Sequence, residues 1–461
     1  MKSYRYTPTR STVEGIAWPG IPTPRGSQLQ ALLWQLQQSE WLPPEAVRRN
    51  QYIQASRLAN HAARTVPFYR ERLAAAGIPL DRPLAPEEWR RIPLLKREDI
   101  QDQGDALASR PPPAGHGEAA PVSTSGSTGK PVTVLSTGVV QLFWSAITLR
   151  DHLWHGRDLS LKFAAIRKIK GHNTRERRAH NLASWGAPVA DVFHSGPATL
   201  LSINTAIEEQ LKWLQEEQPA YLLSYPTSLK ELIDLCRRNG ARVPGLRQVR
   251  TMAEIVTPEL RRQCREVLGV GIADMYSSQE CGYFALQCPG HDHYLVQAES
   301  VLLEVIDDSG APCRPGETGR VVVTPLVNFA MPLLRYEIGD YATVGGASPC
   351  GRGLPVLERI LGRVRNMLVR PDGGKIWPAF GTKTLMKVAP VRQYQFVQQR
   401  RDLVEAHIVL WRPASAAEEA ALVQHIRDNL PEGIAVELRL VDDIPRSEGG
   451  KYEDFVCNVR G

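Results

Sequence analysis

The chain has 461 residues, 43% hydrophobic and 23% charged, with a formal charge of +7 and a pI near 9.0; this suits a soluble globular protein of two or three domains. No apolar run reaches the ~18 residues of a membrane span, and Met1-Lys-Ser-Tyr-Arg-Tyr6 lacks the apolar core of a secretion signal. Seven scattered cysteines without a repeated CxxC argue against a disulfide scaffold and for reduced thiols at a cytoplasmic address.

The positive balance favours anionic partners: nucleotides, coenzyme A, an acidic carrier protein or nucleic acid. The densest basic run, Arg167-Lys-Ile-Lys-Gly-His-Asn-Thr-Arg-Glu-Arg-Arg178, has no interleaved aromatics, so base stacking is not its chemistry. It reads as a solvated loop or as a docking patch for a phosphorylated cofactor or an acidic partner.

Residues up to about 115 read mostly helical. Apolar residues recur at helical spacing over 27–36 and 47–63, and Pro67 is suited to open a helix running to Leu73. From 138 to about 330, strands near 161–166, 221–224 and 248–252 alternate with helices expected over 199–217, 226–239 and 257–268, the last two stopped by Gly240 and Gly269. That alternation predicts an α/β domain with a largely parallel sheet. Strand, turn and strand over 301–306, 307–310 and 319–325 append an antiparallel sheet. Beyond a boundary near 360–365, a strand (405–411), a helix (415–430) and a strand (434–441) predict a small α+β domain. The expected division is 1–361 and 362–461.

Five stretches carry chemistry. In Ser123-Thr-Ser-Gly-Ser-Thr-Gly-Lys-Pro131, two glycines, five hydroxyl residues and a lysine fall within nine positions, enough N–H, hydroxyl and ammonium donors to cradle a phosphate. Its spacing is not that of the P-loop NTPases, and its β-branched flanks predict a strand–loop–strand hairpin. In Asp274-Met-Tyr-Ser-Ser-Gln-Glu-Cys-Gly282, Tyr276 and Glu280 offer an aromatic face and a carboxylate at a strand end. Asp340, in Arg335-Tyr-Glu-Ile-Gly-Asp340, can hold two vicinal hydroxyls. Gly362-Arg363 forms the fourth stretch, and Lys451, after Gly449-Gly450, the fifth. Each piece has a plainer reading as a linker, a buried tyrosine, a turn aspartate or a solvated tail lysine.

Taken in order, the five motifs resemble the adenylate-forming superfamily of acyl-CoA synthetases, luciferases and peptide-synthetase adenylation domains. Val66-to-Leu73, Ile92-to-Asp99 and Cys350-Gly-Arg-Gly-Leu-Pro355 resemble more closely its phenylacetate–CoA ligase-like branch, from about residue 45 to the end. The resemblance implies a large acid- and ATP-binding domain and a mobile lid carrying the catalytic lysine. It implies ATP-dependent activation of a carboxylic acid as acyl-AMP, then transfer to a thiol of coenzyme A or of a carrier protein's phosphopantetheine. An amide synthetase with an amine acceptor, or a nucleotide-binding protein without turnover, stay as alternatives. Nucleic acid and membrane are not expected partners, and a monomer or homodimer is expected.

Carried over by position, Thr124, Ser125, Gly126, Ser127, Thr128, Gly129 and Lys130 would hold the β- and γ-phosphates. Tyr276 would lie along adenine, Glu280 would bind Mg²⁺, Asp340 would grip the ribose and Arg363 ribose or phosphate. Lys451 would bridge the attacking carboxylate and the α-phosphate. The acid pocket is expected from Tyr225, Met252, Ala253 and Tyr283, with Trp185 and His194 from an earlier loop; its aromatic lining suits an aryl or medium aliphatic acid. Three departures stand out: Gln279 where many relatives have Thr, Gly362-Arg-Val-Arg-Asn366 without the acidic hinge residue, and Ser348 where a cysteine is usual. Some branch members bind structural zinc near these segments. Cys288, His291, His293 and Cys350 could make a tetrahedral site here, or be unligated thiols and surface histidines.

Overall fold

The computed structural model describes residues 7–123, 131–169, 177–363, 367–376, 385, 387–446 and 452–459. Among them, twelve strands form one central sheet. Strands Phe163–Arg167, Ala198–Ser202, Tyr221–Ser224, Gln248–Thr251 and Gly271–Ser278 form its parallel half. Gly271–Ser278 pairs antiparallel on its other side with Gly282–Gln287, and the sheet runs on antiparallel through Tyr294–Val296, Val356–Arg363, Tyr336–Val344, Thr318–Pro325 and Val301–Ile306. The antiparallel strands thus continue the parallel sheet rather than forming a separate one.

Strand alternation explains the two layers that cover the parallel half. Ala164, Ile166, Leu222, Val249 and Ile272 face a core shared with helices Ile207–Glu217, Pro226–Asn239 and Pro258–Gln263. Phe163, Ala165, Tyr221, Leu223 and Met275 face helices Pro24–Ser39 and Gly138–Trp154. The antiparallel half packs on helices Pro44–Thr65 and Pro67–Ala75. Proline sits in the first turn of these three N-terminal helices, where its missing N–H costs nothing. Gly240 (φ 63°) and Gly269 (φ 71°) close their helices in the left-handed region, as the sequence predicts.

One expected element differs. The helix over 199–217 is a strand, Ala198–Ser202, followed by a helix only from Ile207 to Glu217. Thr199-Leu-Leu is held on both edges by ladder bonds to Phe163–Arg167 and Ala179–Leu182, and tertiary pairing overrides the local apolar pattern.

Past the central sheet, Val391–Arg400, Leu403–Leu410, Ala435–Leu440 and Phe455–Cys457 form a four-stranded sheet. Helix Ala416–Asp428, opened by a Ser415–Glu418 capping box, lays Leu422 and Ile426 against Phe396, Val404, Ile408 and Phe455 in a core of its own. No helix among the described residues is long and apolar enough to cross a membrane.

Candidate active site

Strand Gly271–Ser278 is where the sheet turns from parallel to antiparallel, and crevices at the carboxyl end of such strands are where α/β sheets bind ligands. A buried network fixes it. Thr251 donates to Asp274 Oδ1 (2.6 Å), Tyr294 to Oδ2 (2.7 Å), and the Asp274 N–H donates to Gln287 Oε1 (2.8 Å), which also accepts from Arg261 (2.7 Å). Burial pushes the Asp274 carboxyl up to about 6, against the pull of these donors and of Arg261.

Two residues on, Tyr276 packs edge-on against Phe284 (4.8 Å) and donates its hydroxyl to Asp340 Oδ2 at 2.7 Å. Burial, then the Asp340 charge, hold that hydroxyl well above its ordinary range, so it stays a donor. Asp340 and Arg363 are direct partners in the ladder between Tyr336–Val344 and Val356–Arg363, and Arg363 Nε lies 3.5 Å from Asp340 Oδ1. Each follows a glycine at φ 84°, Gly339 and Gly362, a conformation costly for other residues. Glu280 is buried in the turn after the strand, and its charge reaches Tyr336 and Cys281. Tyr276 and Arg363 therefore meet on Asp340, with Glu280 at the end of the Tyr276 strand.

The hairpin expected to flank residues 124–130 has its two arms, Ala120–Ser123 and Thr133–Ser136, paired Ser123 to Thr133. Thr124–Lys130 and Lys451 lie outside the described residues.

The expected pocket residues divide. Tyr283 stacks on Trp144 (4.5 Å), its hydroxyl is 3.2 Å from Thr148 Oγ1, and Met252 packs on the same cluster. Trp185 joins from the side, against Phe163, Tyr221 and His152. Tyr225 lies in the core on the opposite face; Ala253 is exposed with φ 70° and His194 is exposed. Nearby, Asp151 is buried between Arg157 (2.6 Å) and Arg250 (2.7 Å), one carboxylate against two guanidinium groups, while burial keeps His152 neutral. A cavity of about 540 Å³ lined by Val47, Gln51, His116, Phe143, Leu326 and Phe329 among others shares no residue with Tyr276, Asp340, Arg363 or Tyr283. Sequence reasoning missed Trp144 and the Asp274 network. Trp144 lies in a helix whose apolar pattern says core, and only its contact with Tyr283 marks it out.

The cysteine–histidine set gathers around Ser348. His293 Nε2 is 2.9 Å, Cys350 Sγ 3.0 Å and Cys288 Sγ 3.9 Å from Ser348 Oγ, and the His291 ring is 5.1 Å from that of His293. Burial tends to raise Cys350, but the Ser348 hydroxyl and Arg352 hold it below the usual thiol range, while burial lifts Cys288. Among the described residues no three His, Cys, Asp or Glu side chains converge as a metal cage; a serine hydroxyl occupies the middle. The tetrahedral Cys288–His291–His293–Cys350 zinc site therefore does not fit this arrangement as it stands.

Residues 368–458 match the CapK C-terminal domain family. The chain is 28% identical to a phenylacetate–coenzyme A ligase of Thermus thermophilus over 449 residues, covering 89% of this chain and 96% of the relative. It is 26% identical to that of Escherichia coli, covering 87% and 93%. Among solved structures it is similar to 2-hydroxyisobutyryl-CoA ligase in the postadenylation state with 2-HIB-AMP, at TM-score 0.69, 19% identity and 91% of both chains. An anthranilate CoA ligase in complex with anthranoyl-AMP gives TM-score 0.52 at 18% identity over 73% of this chain and 66% of that one. The structural likenesses carry the fold.

Proposed function

The chain belongs to the adenylate-forming superfamily, in its phenylacetate–CoA ligase-like branch, and from that premise we propose that it joins an aryl or medium aliphatic carboxylic acid to coenzyme A through an acyl-adenylate. The observation that carries this reading is the Tyr276–Asp340–Arg363 constellation at the sheet's switch strand. The tyrosine ring supplies a face for adenine. The Asp340 carboxylate, fixed by Tyr276 and Arg363, supplies two acceptor oxygens for the ribose hydroxyls.

In the first half-reaction the acid's carboxylate oxygen bonds to the α-phosphorus of ATP and pyrophosphate leaves, which demands positioning and charge neutralisation. Thr124–Lys130 would hold the departing β- and γ-phosphates, and Glu280 would hold Mg²⁺, whose charge would offset theirs. Lys451 would stabilise the charge developing between carboxylate and α-phosphate. In the second half the coenzyme A sulfur attacks the acyl carbon and AMP leaves. The acid would lie against Trp144, Tyr283 and Met252, with Trp185 behind, and the apolar lining suits a compact organic acid.

We place the domain division at 361/362, with the second unit turning about Gly362-Arg363. The separate core of the C-terminal sheet and the left-handed backbone at Gly362 support it. The test is a pyrophosphate-release screen over aromatic and aliphatic acids, followed by mass detection of the acyl-CoA. Release should require an acid and fall severely in Lys451→Ala with the fold intact. ATP hydrolysis indifferent to every acid would overturn the reading.

A further inference from the structure

Glu254 has no part in the chemistry above, yet its carboxylate faces donors from two separate parts of the chain, Thr227 on one side and Arg446 and Tyr452 on the other. It follows Ala253, a non-glycine residue at φ 70°, a strained conformation that persists where the surroundings fix it. Its side chain is only 6% exposed. Oε2 accepts the N–H of Thr227 (2.9 Å) and its hydroxyl (2.7 Å), which locks the carboxylate to the first turn of helix Pro226–Asn239. Oε1 turns to the C-terminal unit, accepting the N–H of Tyr452 (2.6 Å) and lying 3.5 Å from Arg446 Nη1.

Arg446 and Tyr452 immediately flank residues 447–451. A single carboxylate on the large domain thus ties down both flanks of the segment that ends in Lys451. Neighbouring contacts reinforce the same seam. Arg446 also donates to Thr227 Oγ1 (2.7 Å) and to Glu231 (3.4 Å), Gln393 donates to Glu231 (2.9 Å), and Tyr452 donates to the carbonyl of Tyr394, over whose ring Lys230 lies at 5.0 Å. The next residue, Ile255, packs on the hinge: a Cβ at Gly362 would meet its Cδ1 at 2.5 Å. The loop 253–255 therefore touches both the hinge and the flanks of the lysine segment.

Holding a charged group at the right point of a reacting centre acts through position, and a shift near 1 Å is costly. Charge-assisted bonds to a desolvated carboxylate are suited to that task. Both Oε1 partners, Tyr452 and Arg446, lie on the C-terminal unit and both Oε2 partners on Thr227, so carrying that unit away about Gly362 would remove the first pair and leave the second.

We infer that Glu254 is a positioning residue, which fastens Arg446 and Tyr452 to the large domain for the adenylating half-reaction and is idle in thiol transfer. This rests on the function proposed above. The test compares wild type, Glu254→Ala and the near-isosteric Glu254→Gln in three measurements on the full chain: single-turnover adenylate formation from ATP and acid, thioester formation from supplied acyl-adenylate and coenzyme A, and trypsin cleavage after Arg446 without substrates. Glu254→Ala should slow adenylate formation about a hundredfold while leaving thioester formation within about twofold, and trypsin should cut it faster. Glu254→Gln, which keeps an acceptor for Tyr452 but loses the charge facing Arg446, should fall between, with a melting temperature close to wild type. An equal loss in both half-reactions, or unchanged trypsin cleavage in both variants, overturns the inference. Should the wild type form no adenylate from any acid, the functional reading fails, and the trypsin comparison still decides whether Glu254 fastens the segment.

Discussion

Tyr276 donates its hydroxyl to Asp340 across 64 residues of sequence, at 2.7 Å, while the other carboxylate oxygen faces Arg363 at 3.5 Å. The aspartate is oriented from both sides before any nucleotide arrives. Tyr276→Phe removes one neutral donor and keeps the ring, so it should weaken apparent ATP affinity by about 1 kcal/mol, some fivefold in KM. Asp340→Ala removes the proposed ribose acceptor together with the carboxylate that faces Arg363, and should cost about 2–3 kcal/mol. ATP titration of pyrophosphate release reads both. Equal, small effects would place the ribose elsewhere.

Asp274 makes a pH-dependent contribution with a definite sign. Its folded-state value is about 6 against an ordinary 3.8, so the folded protein holds this proton more tightly than the unfolded chain. The stabilisation is complete below the unfolded value and is lost as pH rises through about 6. Asp274→Asn has no such titration. The stability of wild type relative to that variant should therefore fall by up to about 3 kcal/mol between pH 4 and pH 7. Urea unfolding at several pH values measures the gap; a constant gap would mean that the folded carboxyl titrates as it does in the unfolded chain, and a gap that grows with pH would mean that Thr251 and Tyr294 hold it ionised.

Much of the fold was legible because period-2 and period-3.6 patterns and helix stops act locally. Pro67, Gly240 and Gly269 stand where the sequence puts them, at helix ends. The segment 199–217 was not legible, since Thr199–Leu201 is a strand only because two neighbours pair with it. The site divides in the same way. Tyr276, Asp340 and Arg363 announce themselves through glycines and strand ends, and they do converge. Tyr225 follows its strand as expected but falls in the core on the far face, because a single residue's direction depends on how the strand ends. Trp144 and Glu254 take their meaning from contacts with residues 139 and 198 positions away, which no local pattern records.

Trp144 stacks at a tilt on Tyr283, and in the proposed function it forms one wall of the acid pocket. Trp144→Ala removes that wall and also frees the Tyr283 ring. The compact acid best used by the wild type should lose about 10–100-fold in kcat/KM, and bulkier acids should lose less or gain. A panel of acids graded in size measures the shift. Parallel losses for all acids would mark Trp144 as core packing only.

Ser348 sits at the centre of Cys288, His293 and Cys350, making contacts that a metal ion would otherwise make. A hydroxyl is a poor zinc ligand beside thiolates, and its neutral oxygen is held here by hydrogen bonds to an imidazole and a thiol. Replacing it with a thiol supplies three sulfurs and one imidazole within one small volume, the set that structural zinc favours. Ser348→Cys should therefore be purified with about one zinc per chain and should lose thermal stability on chelation, because ligation then contributes to folding. The wild type should carry far less zinc and melt at the same temperature with or without chelator. If the variant binds no more zinc than the wild type, the four side chains cannot share one ion even when all are soft donors. If the wild type already holds a full equivalent, the serine-centred arrangement is not the state of this cluster in solution.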